Sequence, residues 1–211
     1  MDLLFPTLFA KVSVLLALTM ATAALGTYLG RGIRSFVAFI VLLVLFMGGC
    51  LGVFLAAHAS PELGVAALLA WGFVTGLFMG PAIETYAEDL GWQTVFGAFA
   101  GTAGVMALCG GFGLLSGIDF SHMGFILGIA LFGLIIFGLI RIFVRMSREV
   151  NMGFAALGMI VFAGYFVFDF FWLGQSENTW EKAIGLTVSI FLDFVNFFLY
   201  ALQFLAAAKK H

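Results

Sequence analysis

Charged side chains are what this sequence has least of. Asp, Glu, Lys and Arg make up 9% of its 211 residues, while 64% are hydrophobic. No soluble domain solvates its surface with so few charges, whereas a polytopic membrane protein does without them. A net charge of -2 and the lack of any basic cluster exclude a nucleic-acid-binding face. Cysteine is nearly absent. Cys50 and Cys109 each lie deep in an apolar run without C-x-x-C spacing, so they read as buried, inert thiols and say nothing of redox compartment. The N-terminus, MDLLFPTLFAKVSV, lacks the basic stretch and small-residue cleavage site of a signal or transit peptide, and is expected to open the first span.

What is present instead is seven apolar runs, at 7–29, 36–57, 63–87, 92–115, 123–144, 152–172 and 183–208. A span needs roughly 20 residues, and each run supplies them. The short connections force antiparallel neighbours and leave no stretch for a soluble domain. The expectation is an all-α membrane protein: one domain over residues 1–211, a seven-transmembrane-helix bundle. Glycines recur every four residues at Gly72, Gly76 and Gly80, at Gly97 and Gly101, and at Gly124 and Gly128, as close helix packing in lipid requires. Pro81 removes a helix hydrogen bond and is expected to kink the third span near Glu84. Trp71, Trp92, Trp172 and Trp180 read as interfacial anchors. Arg31, Arg34, Arg141, Arg145, Arg148, Lys209 and Lys210 fall on one side of this topology. The bias puts the C-terminus in the cytoplasm, and the three arginines between the fifth and sixth spans read as orientation charges.

The last run differs from the others. Ser189, Asp193, Asn196, Tyr200 and Gln203 follow at steps of four, three, four and three, which puts all five on one helical stripe. A mid-membrane carboxylate costs about 2.5–3.5 kcal/mol even on the lenient insertion scale, so that stripe must face protein or water. The seventh helix is therefore expected to be a central post. Asp169, near the end of the sixth run, falls at comparable depth to Asp193 across a short hairpin. Two carboxylates in a dry site cannot both ionise cheaply, so they titrate as a unit and can share a proton, hold a cation, or do both in competition. Tyr165, one turn before Asp169, and Asn196 can hydrogen-bond there. Glu84 either lines the same interior or lies at the membrane surface. His58, at the end of the second run, reads as an interfacial histidine, and His122 and His211 as solvated ends.

These residues resemble the Bax inhibitor-1 family of transmembrane Bax-inhibitor-motif proteins, in its bacterial form. VSIFLDFVNFFLYALQFL (Val188 to Leu205) is similar to the family's last-helix signature, aromatic-Leu-Asp-aromatic-x-Asn followed by Leu-rich sequence. GFVTGLFMGPAIETY (Gly72 to Tyr86) is similar to the third span of bacterial members, and IDFSHMGFIL (Ile118 to Leu127) to the approach to their fifth. The first two spans match in hydropathy alone. The resemblance implies a pH-sensitive calcium leak in which Asp169 and Asp193 form the gate and calcium is the bound or permeant ion, with no tightly bound cofactor. It also implies a latch by a basic residue at the position of His58, where a bacterial member has arginine. A protonated histidine donating to a carboxylate loses that contact as pH rises. Some bacterial relatives carry their basic loops on the side opposite to the bias here. The expected location is a bacterial inner membrane.

Two rival readings exist. Some bacterial relatives bind and restrain an FtsH-type membrane protease, which makes an interaction protein the alternative. An intramembrane aspartyl protease also carries aspartates on two adjacent spans, but it needs Gly-x-Gly-Asp, and Asp193 is preceded by Ile190-Phe191-Leu192. No enzymatic activity is expected.

Overall fold

The computed structural model describes residues 5–209; Met1 to Leu4, and the terminal Lys210 and His211 read above, lie outside the described residues. Seven helices follow in chain order: α1 Leu8–Gly30, α2 Phe36–Ala59, α3 Pro61–Leu90, α4 Trp92–Leu115, α5 Met123–Phe143, α6 Arg148–Gln175 and α7 Trp180–Ala208. Each has an apolar stretch long enough to cross a bilayer, and there is no strand among the described residues. Lipid offers nothing to an unpaired N–H or C=O, and a helix closes all of its backbone bonds within one segment. This is an all-α membrane protein.

Several helices outrun the apolar runs that announce them, because polar residues at the ends act as caps rather than as stops. Ser60-Pro61-Glu62 was a boundary by hydropathy, yet α3 begins at Pro61, with the Ser60 hydroxyl accepting from the Leu63 amide at 3.2 Å. Proline suits the first helical position because that N–H has no helical acceptor anyway. Ser147 and Thr179 do the same for α6 and α7, accepting from Val150 at 3.4 Å and Lys182 at 3.2 Å. Gly91 ends α3 and starts α4 at φ 85, and Gly117 turns towards α5 at φ 70, backbone regions that suit glycine. After Gly117, Asp119 accepts from the Ser121 amide at 2.8 Å, which holds its carboxyl below the ordinary range. That turn is therefore favoured at neutral pH, and its contribution is lost as pH falls through the lowered value.

The chain forms two compact units. The first comprises the chain up to Thr85 with Gln175–Phe191; the second comprises Tyr86–Gly174 with the chain from Leu192 on. In the first unit α1 and α3 meet through glycine on both sides. A Cβ on Gly76 would stand 2.0 Å from the Ala23 carbonyl oxygen, and one on Gly26 would stand 2.1 Å from that of Phe73. Gly80 lies against Gly30 in the same way. Backbones approach here to a distance that any side chain would forbid, which is how helices gain contact in lipid. The expectation for the other glycine pairs is corrected at three of their four positions. Gly97, Gly101 and Gly128 face open space, while Gly124 does pack, against Phe168; in the second unit Gly110, Gly113 and Gly158 also make close contacts, against Phe170, Val167 and Tyr200.

Trp71 is not an interfacial anchor either. It is buried within α3, its indole donating to the Phe46 carbonyl at 2.8 Å and its ring stacked on Phe46. Trp92 and Trp180 do open helices, and Trp172 lies near the end of α6. Pro81 lies inside an unbroken α3. α2 buries 6% of its most apolar stretch and α7 buries 56%, so α2 is a lipid-facing helix and α7 the one with most protein around it.

The glycine contacts give a direct test. Gly76→Ala forces a methyl into backbone and is expected to cost about 1–3 kcal/mol, whereas Gly101→Ala, in open space, gains about 0.5–1 kcal/mol of helix propensity. Thermal unfolding of both variants in detergent checks the contrast; equal melting temperatures would remove the packing argument.

Candidate functional site

Within the second unit, α6 and the C-terminal part of α7 run antiparallel, in a register fixed by aromatic side chains. Phe162 stacks on Tyr200 with ring centroids 5.8 Å apart, and Phe166 meets Phe197 at 5.9 Å. Each step along α6 is matched by a step back along α7, and one further turn brings Asp169 to Asp193. Both are almost wholly buried, 5% and 6% exposed, and the Asp193 carboxyl hydrogen-bonds to that of Asp169.

The chemistry of that contact is informative. Among the described residues no donor reaches Asp193 Oδ2, and the neighbour within hydrogen-bonding reach is another carboxyl. Two ionised carboxylates accept and neither donates, so the contact is a hydrogen bond when one of them carries a proton. When that proton leaves, adjacent carboxylate oxygens remain, the ligand type a hard cation takes. No cluster of three or more His, Cys, Asp or Glu side chains occurs among the described residues, so the pair would supply only part of a cation's coordination shell.

Of the other expected site residues, Tyr165 is half-buried in the same unit and close enough to feel both carboxylates. Asn196 is half-buried, and its amide donates to the Leu192 carbonyl at 2.8 Å, within its own helix. Glu84 belongs to the first unit, half-buried, with Oε2 buried and lacking a hydrogen-bond partner among the described residues. His58 also belongs to the first unit, at the end of α2. Its side chain is 83% exposed, and Nδ1 lies 3.5 Å from Glu181 Oε1. The geometry thus brings together Asp169, Asp193 and Tyr165.

The rest of the α7 stripe is sheltered. Ser189, Asn196, Tyr200 and Gln203 are all half-buried and none is exposed. Tyr200 sits over Gly158, stacked on Phe162 and edge-on to Phe154. At Gln203 the stripe meets a residue that sequence reasoning assigned only to orientation: Arg141 Nη1 donates to Gln203 Oε1 at 3.3 Å, with the guanidinium 4.7 Å from the Phe154 ring centre. Arg148, read from the sequence as an orientation charge, also has bonds that the sequence did not announce. It donates to the carbonyls of Ala207 and Ala208, the latter at 2.7 Å, and so caps the end of α7. Lys209 reaches the Asp89 carbonyl and, at 3.4 Å, its carboxylate. The sequence signal was the position of Arg141, a lone cation in the last turn of an apolar run, facing a stripe that ends in an amide.

Comparison with known proteins covers nearly the whole chain. The family described as "Inhibitor of apoptosis-promoting Bax1" matches residues 6–210, including the first two spans, where the sequence resemblance rested on hydropathy. The protein named Bax inhibitor 1 of Schizosaccharomyces pombe is 32% identical over 82% of this chain, which covers 61% of that protein's length. Protein lifeguard 4 of Mus musculus is 29% identical over 96% of this chain and 84% of its own. A vaccinia virus protein named Golgi anti-apoptotic protein is 29% identical over 92% of this chain and 80% of its own. With its seven spans, its last-helix motif and this match along its length, the chain belongs to the Bax inhibitor-1 family.

Proposed function

We propose that this protein is a proton-regulated calcium leak, with Asp169 and Asp193 acting as one titrating gate. A single observation carries the reading: two buried carboxyl groups touch inside a protein whose helices all suit a bilayer. Side by side in a dry site they are costly, and two amides would hold the same shape with less penalty. Protons and calcium compete for the same oxygens, so calcium binding at the pair weakens as pH falls. Membership of the family supports the reading. In this proposal α7, the most buried helix, stands at the centre, and His58 is the latch of the shut state. We assign the pair no catalytic role. The location proposed is a bacterial inner membrane, in keeping with the similar proteins of Borreliella burgdorferi and Deinococcus radiodurans, with the C-terminus in the cytoplasm. A C-terminal reporter active only outside the cell would reverse that orientation.

The second reading is an interaction protein that modulates a membrane protease of the FtsH type or another membrane partner. It is favoured by the names of the family and of the vaccinia relative, which refer to apoptosis and not to transport.

Calcium flux into liposomes across pH separates the two. Asp193→Asn is expected to fold and to leak without the wild-type pH response; Asp169→Asn should behave alike, and the double variant should add little, because coupled sites are non-additive. Independent, additive shifts would mean that the aspartates are two sites. Flux unaffected by any of the three would favour the interaction reading. His58→Ala tests the latch: an unchanged leak with an unchanged pH profile removes it.

A further inference from the structure

The stripe on α7 does not end at the carboxylate pair. Asn196, Tyr200 and Gln203 continue it towards the C-terminal end of the helix, and Gln203 is ten residues beyond Asp193, about 15 Å along the axis. All of these residues, and the groups that meet them, lie in the second unit. At the far end stands Arg141, from the last turn of α5. It is half-buried, bonded to the Gln203 amide and laid over the Phe154 ring.

Among the described residues Arg141 has no counter-ion. No carboxylate of the described residues lies within ion-pair distance of it, whereas His58 pairs with Glu181 and Lys209 with Asp89. Its charge is felt at the hydroxyls of Tyr86 and Tyr200, which carry no charge to offset it. A guanidinium stays protonated under all ordinary conditions, so this is a fixed positive charge. A neutral amide and an aromatic face orient it without cancelling its field. Just inside it Tyr200 fills the stripe, packed between Phe154 and Phe162 over the bare backbone of Gly158. The arrangement has opposite signs at its two ends: acidic at mid-helix, where a cation would be held, and positive at the end of α7.

We propose that Arg141, oriented by Gln203, is the cation barrier of this path: a fixed charge at the end of the stripe remote from the carboxylate pair, which keeps resting flux low and disfavours cations entering from that end. The inference rests on the calcium-leak reading and adds a residue and a role to it. A fixed charge in a narrow, low-dielectric passage changes local ion concentration by about tenfold or more. A merely structural arginine would act through its shape and bonds, not through its sign.

The experiment is calcium flux into liposomes at one fixed pH, with folding of each purified variant checked by size-exclusion chromatography and circular dichroism. Arg141→Gln should raise flux about tenfold, Arg141→Lys should restore the low flux, and Arg145→Gln, at an exposed site in the α5–α6 connection, should match wild type. Gln203→Glu keeps the question open to refutation if Arg141→Gln fails to fold. It sets a carboxylate against the guanidinium, cancels its field and should also raise flux. Folded Arg141→Gln with wild-type flux, Arg141→Lys as leaky as Arg141→Gln, or Gln203→Glu with unchanged flux would each overturn the proposal. If flux is present and depends on Asp193 while Arg141→Gln changes nothing, this inference alone falls. If wild-type liposomes take up no more calcium than empty ones, the leak reading falls and this one with it.

Discussion

Lipid gives an apolar helix no reason to leave it for another apolar helix. Hydrocarbon solvates leucine as well as a neighbouring leucine does, so cohesion must come from interactions that lipid cannot offer. This chain uses two. In the first unit it brings backbones together where Gly26 and Gly30 of α1 face the main chain of α3 and Gly76 and Gly80 of α3 face that of α1, so that dispersion contacts form over the bare main chain. In the second it puts polar side chains on facing helices, where each finds a partner that hydrocarbon lacks. Many other large apolar side chains face outward: α2 and α5 expose Phe36, Val44, Leu51, Phe125, Ile129 and Phe132. In water such a surface would drive aggregation; in a bilayer it is the solvated face.

The polar partnerships are graded by what they cost. Arg148 and Lys209 work at the end of α7, where carbonyls without helical partners and nearby water make charge easy to place. Arg141 is deeper and is met by an amide and a ring. The aspartates are deepest, and each meets the other. A carboxyl pair with one proton carries a single charge, so it is far easier to bury than two separate carboxylates, and its environment decides when the proton leaves. The register that joins Asp169 to Asp193 is set by aromatic packing of Phe162 and Phe166 on Tyr200 and Phe197, with no polar specificity required.

The helices and the carboxyl pair were legible because both are encoded locally. An apolar run reports a span, and the steps from Ser189 to Gln203 report one helical face. Helix ends were less legible because hydropathy measures burial in lipid, whereas caps such as Ser60, Ser147 and Thr179 act through hydrogen bonds at polar termini. The glycine pairs show a deeper limit. Spacing by four puts Gly97 and Gly101 on one face as surely as Gly76 and Gly80, but says nothing of which face meets protein. The same holds for Trp71, whose partner carbonyl on Phe46 belongs to another helix. Arg148 lies far in sequence from the carbonyls that it caps, so a reading of loop charges had no means of pairing them.

The position of α7 in the chain has a consequence for how the protein is made. It carries an aspartate, an asparagine and a glutamine along one stripe, which makes it poorly suited to entering a bilayer alone. It is also the last of the seven helices to leave the ribosome. By then α5 and α6, which carry Arg141 and Asp169, have been made, so the helix with the polar stripe arrives when its partners exist to receive it. The native order delays the whole stripe until its partners are made, and a chain permuted to place α7 first would present Asp193, Asn196 and Gln203 together before any partner helix existed.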